Sequence, residues 1–375
     1  MQKLVALFFI VAELKCCWGS VVRAPKNGED ELVAVTVLYR HGDKTPTTSF
    51  PNDPYFNISY WPMGFGQLTN QGKRRQYELG KWFRNRYSAF LPEEYNAKDI
   101  YVLSSDVDRT LMSAQANLAG LYPPKGPQVW TDELLWQPIP VHTVPKVEDQ
   151  LLYMERPCPK YNKLYNDTYR NEFFLKINEQ YSEFYKQVSQ LTGWEIDDVH
   201  FFAQLQSVLY VYSNFNASLL PSWASSLDME KVNYLTGLNY ARYTFTDALK
   251  RLGDGPFFHN LLAKFDKALD VKQQAPKFLM LSAHESTLAS VLNGMGVFDY
   301  KAPEFASCVI WELRKRAGGK HYINLFYKRN SSDAVEKLKL VGCDVDCGYE
   351  VFKSILRPIS MDLSSWDVDC AAGSG

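Results

Sequence analysis

The sequence predicts an α/β fold: a mainly parallel central sheet flanked by helices, with a helical cap subdomain inserted into it. Three observations carry this expectation. A strand-like run followed by a turn and a helix-like run occurs three times, beginning near residues 31, 99 and 277. Polar residues gather each time at the carboxyl end of the run, the edge where open α/β sheets bind ligands. Between residues 161 and 250, by contrast, helix-period segments dominate and strand candidates are few.

Taken in order, residues 1–19 read as an export signal, with Lys3 as the positive start, an apolar run over 4–12 and cleavage expected after Gly19. The run is too short to span a bilayer. Residues 31–39 (ELVAVTVLY) form a nearly continuous apolar, β-branched run, as expected of a strand buried on both faces; it ends at Arg40-His41-Gly42. Residues 99–104 repeat the pattern and end at Ser104-Ser105-Asp106, before a helix from 109 towards 121. In the middle region, Phe173, Phe174, Ile177, Tyr181, Phe184, Tyr185 and Val188 follow a helical period. Residues 201–227 carry no charge, but Gln204, Gln206, Ser213, Asn214, Asn216 and Pro221 make them an amphipathic helix and loop instead of a lipid span. A third short strand, 277–282, ends at His284-Glu285 before a helix towards 292. A late hairpin is expected from 308–312 and 321–327, joined by Gly318-Gly319. The domain expectation is therefore a leader over 1–19, a core from 20–155 and 251–375, and a cap over 156–250.

Composition narrows the function. Lys and Arg number 41 against 42 Asp and Glu, which excludes an electrostatic nucleic-acid binder of the usual kind. With 46% hydrophobic and 14% aromatic residues in 375, disorder is excluded as well. Of seven cysteines, Cys16 and Cys17 leave with the leader, and Cys158, Cys308, Cys343, Cys347 and Cys370 remain. Cys343 and Cys347 suit a zinc half-site or a small disulfide loop. No second pair has zinc spacing, so a disulfide and no metal are expected. The odd count leaves one thiol unpaired. Sequons at Asn57, Asn166, Asn216 and Asn330 mark candidate glycan sites and, with the leader, point to an extracellular protein. No cofactor, nucleic acid or membrane partner is expected.

Arg40-His41-Gly42-Asp43-Lys44-Thr45-Pro46 closes the first strand, and Arg109 and His284-Glu285 follow downstream. This set resembles the histidine acid phosphatase family. Further segments look like family segments in family order: Trp61-Pro62-Met63-Gly64-Phe65-Gly66-Gln67-Leu68-Thr69, Asp108-Arg109-Thr110-Leu111-Met112-Ser113-Ala114, Trp136-Gln137-Pro138-Ile139-Pro140-Val141-His142 and Ser282-Ala283-His284. The resemblance covers essentially the whole mature chain and is to secreted animal acid phosphatases in particular, among them insect venom and salivary forms. It implies an α/β core with a helical cap, commonly a homodimer. It also implies His41 as nucleophile, Arg40 and Arg109 as phosphate clamps, and His284 as a further phosphate ligand. The chemistry explains the set. Fixed cations grip a phosphomonoester and neutralise charge developing on its oxygens. A neutral imidazole forms a covalent intermediate, and an acid protonates the departing alkoxide.

Three features depart from the family pattern. The family has Arg where this chain has Lys44, and Asp where it has Glu285. One charge-assisted hydrogen bond is worth about 1.5–3 kcal/mol, or roughly 10–100-fold in rate. A misplacement of about 1 Å can cost on the order of 100-fold. Family members also carry three disulfides; Cys158–Cys370 and Cys343–Cys347 can be matched to that frame, while Cys308 finds no partner. These departures favour a secreted protein with impaired or lost catalysis, binding a small ligand in the former active-site cleft. Carboxylates at Asp43 and Glu285 beside an aromatic cap would suit an aromatic biogenic amine, through an ion pair and a cation–π contact. The alternative is an active histidine acid phosphatase that hydrolyses phosphomonoesters through a phosphohistidine.

Overall fold

The computed structural model describes residues 30–372 apart from 271 and 274; the expected leader, with Cys16 and Cys17, lies outside the described residues. The chain opens with β1 (Glu31–Arg40), α1 (Asn70–Arg86), β2 (Ile100–Ser104) and α2 (Asp108–Leu121). The helical stretch follows as α3 (Pro159–Asp167), α4 (Glu172–Gln180), α5 (Ser182–Thr192), α6 (His200–Phe215) and α7 (Met229–Arg242). Helix α8 (Asp247–Leu269) leads back to β3 (Phe278–Ala283) and α9 (Glu285–Gly294). The hairpin β4 (Cys308–Lys315) and β5 (His321–Lys328) comes next, then the short β6 (Glu336–Leu338) and β7 (Cys347–Gly348), and finally α10 (Tyr349–Leu356) and α11 (Leu363–Ala371).

The sheet runs β2-β3-β1-β4-β5-β6, with β7 beside β5. Strands β2, β3 and β1 are parallel, and β4 to β7 are antiparallel additions. The parallel part is therefore the half that carries the polar strand ends. Strand β1 explains its own composition. Ala34 and Leu38 enter the core on one face, while Val35, Val37 and Tyr39 enter the core on the other. Both faces are dry, so no polar alternation is needed.

Strand β3 comes from late in the chain yet inserts between β1 and β2. Its register pairs Ala283 with Arg40 and Ser282 with Ser104. That insertion brings residues from near 41, 105 and 284 to one edge. Gly42 makes the turn there tight: a Cβ on it would lie 2.4 Å from the Gly72 carbonyl oxygen. A Cβ on Gly72 would in turn lie 2.3 Å from the Asp43 oxygen, so the loop after β1 and the start of α1 touch backbone to backbone.

The helical stretch has its own core, around Phe174, Val188, Phe202, Leu205, Tyr212 and Leu235. Phe50 and Trp61, from the loop after β1, complete it. The expected core–cap boundary at residue 250 falls inside α8, which runs through it without a break. Disulfide Cys158–Cys370 ties α3 to α11, and Cys343–Cys347 closes the small loop, which displaces the zinc alternative for that pair. Cys308 is a free thiol buried on β4, its pKa pushed up to about 12 by burial. Among the described residues no helix is long and apolar enough to cross a membrane. Asn57, Asn166 and Asn216 of the sequons are exposed, and Asn330 is half-buried.

Candidate active site

The residue after β1 sets the site. The His41 backbone N–H donates to the Ala283 carbonyl at 3.0 Å, fixing the residue against the end of β3. Its Nδ1 lies 2.8 Å from the Gly42 carbonyl oxygen. A carbonyl can only accept, so Nδ1 carries the hydrogen and Nε2 keeps the lone pair. Burial, and after it the charges of Arg109 and Arg40, hold the imidazole pKa well below its ordinary value. The neutral form of His41 is therefore favoured.

Arg109 enters from the first turn of α2 and His284 from the N-cap of α9. Arg109 Nη2 reaches His284 Nδ1 at 3.4 Å, and His284 Nε2 lies 2.8 Å from Ser105 Oγ. With the guanidinium donating to Nδ1, Nε2 carries the hydrogen and donates to the serine. Ser105 Oγ is in turn 3.0 Å from Thr110 Oγ1. Burial first, then Arg109 and Arg40, also holds His284 well below the usual histidine range. The rings of His41 and His284 meet edge-on at 5.7 Å between centroids.

Lys44 is buried, its Nζ donating to Thr47 Oγ1 at 3.4 Å. Burial, with Arg109 and Arg40 adding to it, lowers its pKa well below the usual lysine value. Glu285 begins α9; its Oε1 accepts from the Tyr240 hydroxyl at 3.1 Å, and its Oε2 is ion-paired with Arg40 Nη2.

These groups surround a cleft of about 550 Å³. His41, Lys44, Arg109, His284 and Glu285 all line it, so the structure brings together five of the seven residues singled out in the sequence. The other two are placed differently. Asp43 turns towards Arg75, whose Nε lies 3.3 Å from its carboxylate, and it lines a separate small cavity beside Asn70 and Arg74. The carboxylate expected at Asp43 is thus absent from the cleft, because the loop's backbone contact with α1 directs that side chain towards the helix. Arg40 does not line the cleft either. It donates to the Pro303 carbonyl at 2.6 Å, packs 4.2 Å over the Phe305 ring, pairs with Glu285 on the cleft wall, and its charge acts on His41, His284 and Lys44.

The outer wall holds what the sequence did not single out. Tyr240 and Tyr243 come from the end of α7, Tyr153 and Glu155 from the loop before α3, and Lys146 from the segment before them. Glu155 already accepts from the Tyr153 hydroxyl at 3.0 Å. His200 lines the cleft from α6 and bonds Asp198 at 3.0 Å. Ser105 had a usable signal, since it follows β2 at the polar strand end; the tyrosines, spread over separate elements at helical spacing, had none.

Fold and site together define an α/β protein with a histidine-centred, cation-walled cleft at the carboxyl edge of its parallel strands. A model of the histidine phosphatase superfamily (branch 2) matches residues 31–328, and the chain belongs to that family. Prostatic acid phosphatase of Rattus norvegicus is 39% identical over 349 residues, spanning 92% of this chain and 90% of that protein. Lysosomal acid phosphatase of Xenopus laevis is 37% identical over 348 residues, spanning 92% and 80%. Among solved structures, the apo form of Hafnia alvei phytase superposes with a TM-score of 0.66 over 90% of this chain and 98% of that one, at 15% identity, a likeness of fold.

Proposed function

We propose that this protein is an exported acid phosphomonoesterase that works through a phosphohistidine at His41. One observation carries the reading: an imidazole with Nδ1 committed to a carbonyl, leaving Nε2 free, stands in a cleft beside Arg109 and Lys44. The phosphate group sits between those cations. His41 Nε2 attacks phosphorus, a P–N bond forms, and the ester P–O bond breaks in line. Glu285, protonated in competition with its ion pair to Arg40, gives that proton to the leaving alkoxide, then takes one from the water that attacks phosphorus and breaks the P–N bond, freeing His41 and inorganic phosphate. Burial first, and then the neighbouring cations, shift His41 towards its unprotonated, nucleophilic form.

The amine-binding reading loses its support on the same geometry. Asp43 is outside the cleft, Glu285 is already neutralised by Arg40, and Lys44, Arg109 and Lys146 on the wall favour an anion. Lys44 and Glu285 then mark a phosphatase with altered pH behaviour, not one without activity. Export is supported by the two disulfides, which persist in oxidising compartments.

Hydrolysis of a chromogenic aryl phosphate at acid pH tests the proposal. Saturable turnover, falling about 10⁴-fold or more in His41→Asn, is the expected result. Turnover indistinguishable from that of the variant would overturn it.

A further inference from the structure

The loop between β1 and α1 is anchored from below and apolar on its outer side. Trp61 is fully buried: its indole N–H donates to the Tyr55 carbonyl at 2.9 Å, and its ring packs on Tyr212 at 5.2 Å and on Phe215 at 4.8 Å. Asp53 accepts from the Tyr55 backbone N–H at 2.9 Å and from the Tyr212 hydroxyl. With the loop held in this way, Phe56, Ile58, Tyr60 and Phe65 remain 39%, 56%, 42% and 37% exposed. They are clustered, not scattered. The rings of Phe56 and Phe65 lie 4.5 Å apart between centroids, and Tyr60 meets Tyr55 edge-on at 5.3 Å.

A fixed apolar surface of this kind forfeits the gain from burial and invites association. The sequence places a cover at its centre. Asn57, between Phe56 and Ile58, heads the sequon Asn57-Ile58-Ser59 and is itself exposed. Its Oδ1 accepts from the Ser59 backbone N–H at 3.0 Å, capping the short turn over 58–60. Nδ2, the atom that takes a sugar, makes no hydrogen bond to the described residues. A second sequon, from far along the chain, borders the same surface: Asn216 follows Phe215, the half-exposed ring that packs on Trp61. Sugars suit this surface, because one face of the ring presents polarised C–H groups to the electron-rich faces of aromatic side chains while the hydroxyls stay in water.

We infer that Asn57 carries an N-linked glycan whose innermost sugars lie over the Phe56–Phe65 pair and shield the patch. In the step that installs it, Asn57 Nδ2 displaces diphosphate from the anomeric carbon of a lipid-linked oligosaccharide. The N–C bond forms, the C–O bond to the lipid diphosphate breaks, and Nδ2 gives up one of its two protons. Attachment depends on export, proposed above, and on nothing in the catalytic chemistry.

Protein secreted from cultured animal cells is digested with protease and treated with an amidase that releases N-glycans and leaves aspartate where the modified asparagine stood. Mass spectrometry is expected to find that conversion at residue 57 in most molecules. Secreted protein without it would overturn the site; a chain that is never secreted would overturn export and the glycan together. For the cover, Asn57→Gln and Ser59→Ala each delete the sequon and are expected to raise binding of an apolar fluorescent dye about two- to threefold, whereas Ser59→Thr keeps the sequon and leaves it unchanged. Enzymatic removal of the glycans from the folded, unaltered protein is expected to raise it likewise. Phe56→Ser added to Asn57→Gln should return the signal to that of the unaltered protein. Dye binding unchanged by both deletions and by enzymatic removal would overturn the cover. So would self-association of the glycosylated protein that Phe56→Ser abolishes, because a second copy would then occupy the patch. Absence of aryl phosphate turnover throughout, with the glycan present, would instead fault the phosphatase reading and leave the site standing.

Discussion

On one side of the cleft, His41, Arg109 and His284 are fixed by a carbonyl, by one another and by Ser105, with no carboxylate among those contacts. On the other side, Glu285 is tied down by Arg40 and Tyr240. In the proposed reading the first side is a receptor for an anion: among the described residues Arg109 makes no ion pair there and, of the carboxylates, only Asp108 and Glu155 act on it, so an arriving phosphate would gain much of its attraction. The second is a closed device, in which the proton donor must compete with an ion pair before it can act. Binding strength and proton transfer are thus assigned to different walls, and the two departures from the family motif fall one on each: Lys44 with the cations, Glu285 with the acid.

Removing a receptor charge should have the largest effect. Arg109→Met is expected to lower kcat/KM about 10²–10³-fold, measured with an aryl phosphate. Because Arg109 disfavours protonation of His41, its loss raises the histidine pKa, so the acid limb of the pH profile should move to higher pH. On the opposite wall, Glu285→Gln is expected to lower kcat about 10²-fold, with a smaller loss for aryl phosphates, whose leaving groups need less help, than for alkyl phosphates. Comparing the two substrate types is the measurement.

Lys44→Arg sharpens the comparison by strengthening the receptor side. A lysine with a depressed pKa is charged only below that pKa, so its grip on phosphate fades as pH rises. Arginine stays charged throughout. The variant should raise kcat/KM about tenfold and move the alkaline limb upward, read from a pH–rate profile. Asp43→Asn, by contrast, touches neither wall. Its carboxylate faces Arg75, so kcat/KM should change by less than about threefold, the ordinary scale for substitutions remote from the chemistry.

How much of this was legible in the sequence follows from what each feature depends on. The parallel half of the sheet was readable because burial on both faces leaves an unbroken apolar run, as in residues 31–39. His41, Arg109, His284 and Glu285 were readable because each terminates or follows a strand of that kind. The side-chain direction of Asp43 was not, since it depends on the contact between Gly42 and Gly72, two glycines thirty residues apart whose meeting no local pattern records. The contacts of Arg40 were not legible for a related reason: its partners, Pro303 and Phe305, lie in a loop far along the chain, just before strand β4. The tyrosines of the outer wall were hidden among other aromatics of helical spacing, most of which fill the cap core.

The central claim is that His41 Nε2 takes the phosphoryl group. Rapid mixing with a phosphomonoester, followed by alkaline quench, protease digestion and mass spectrometry, addresses it directly, because a phosphorylated imidazole survives base. The account predicts phosphate on the peptide that contains residues 40–44, and none in His41→Asn. Sustained hydrolysis with that peptide unmodified at every quench time would contradict it.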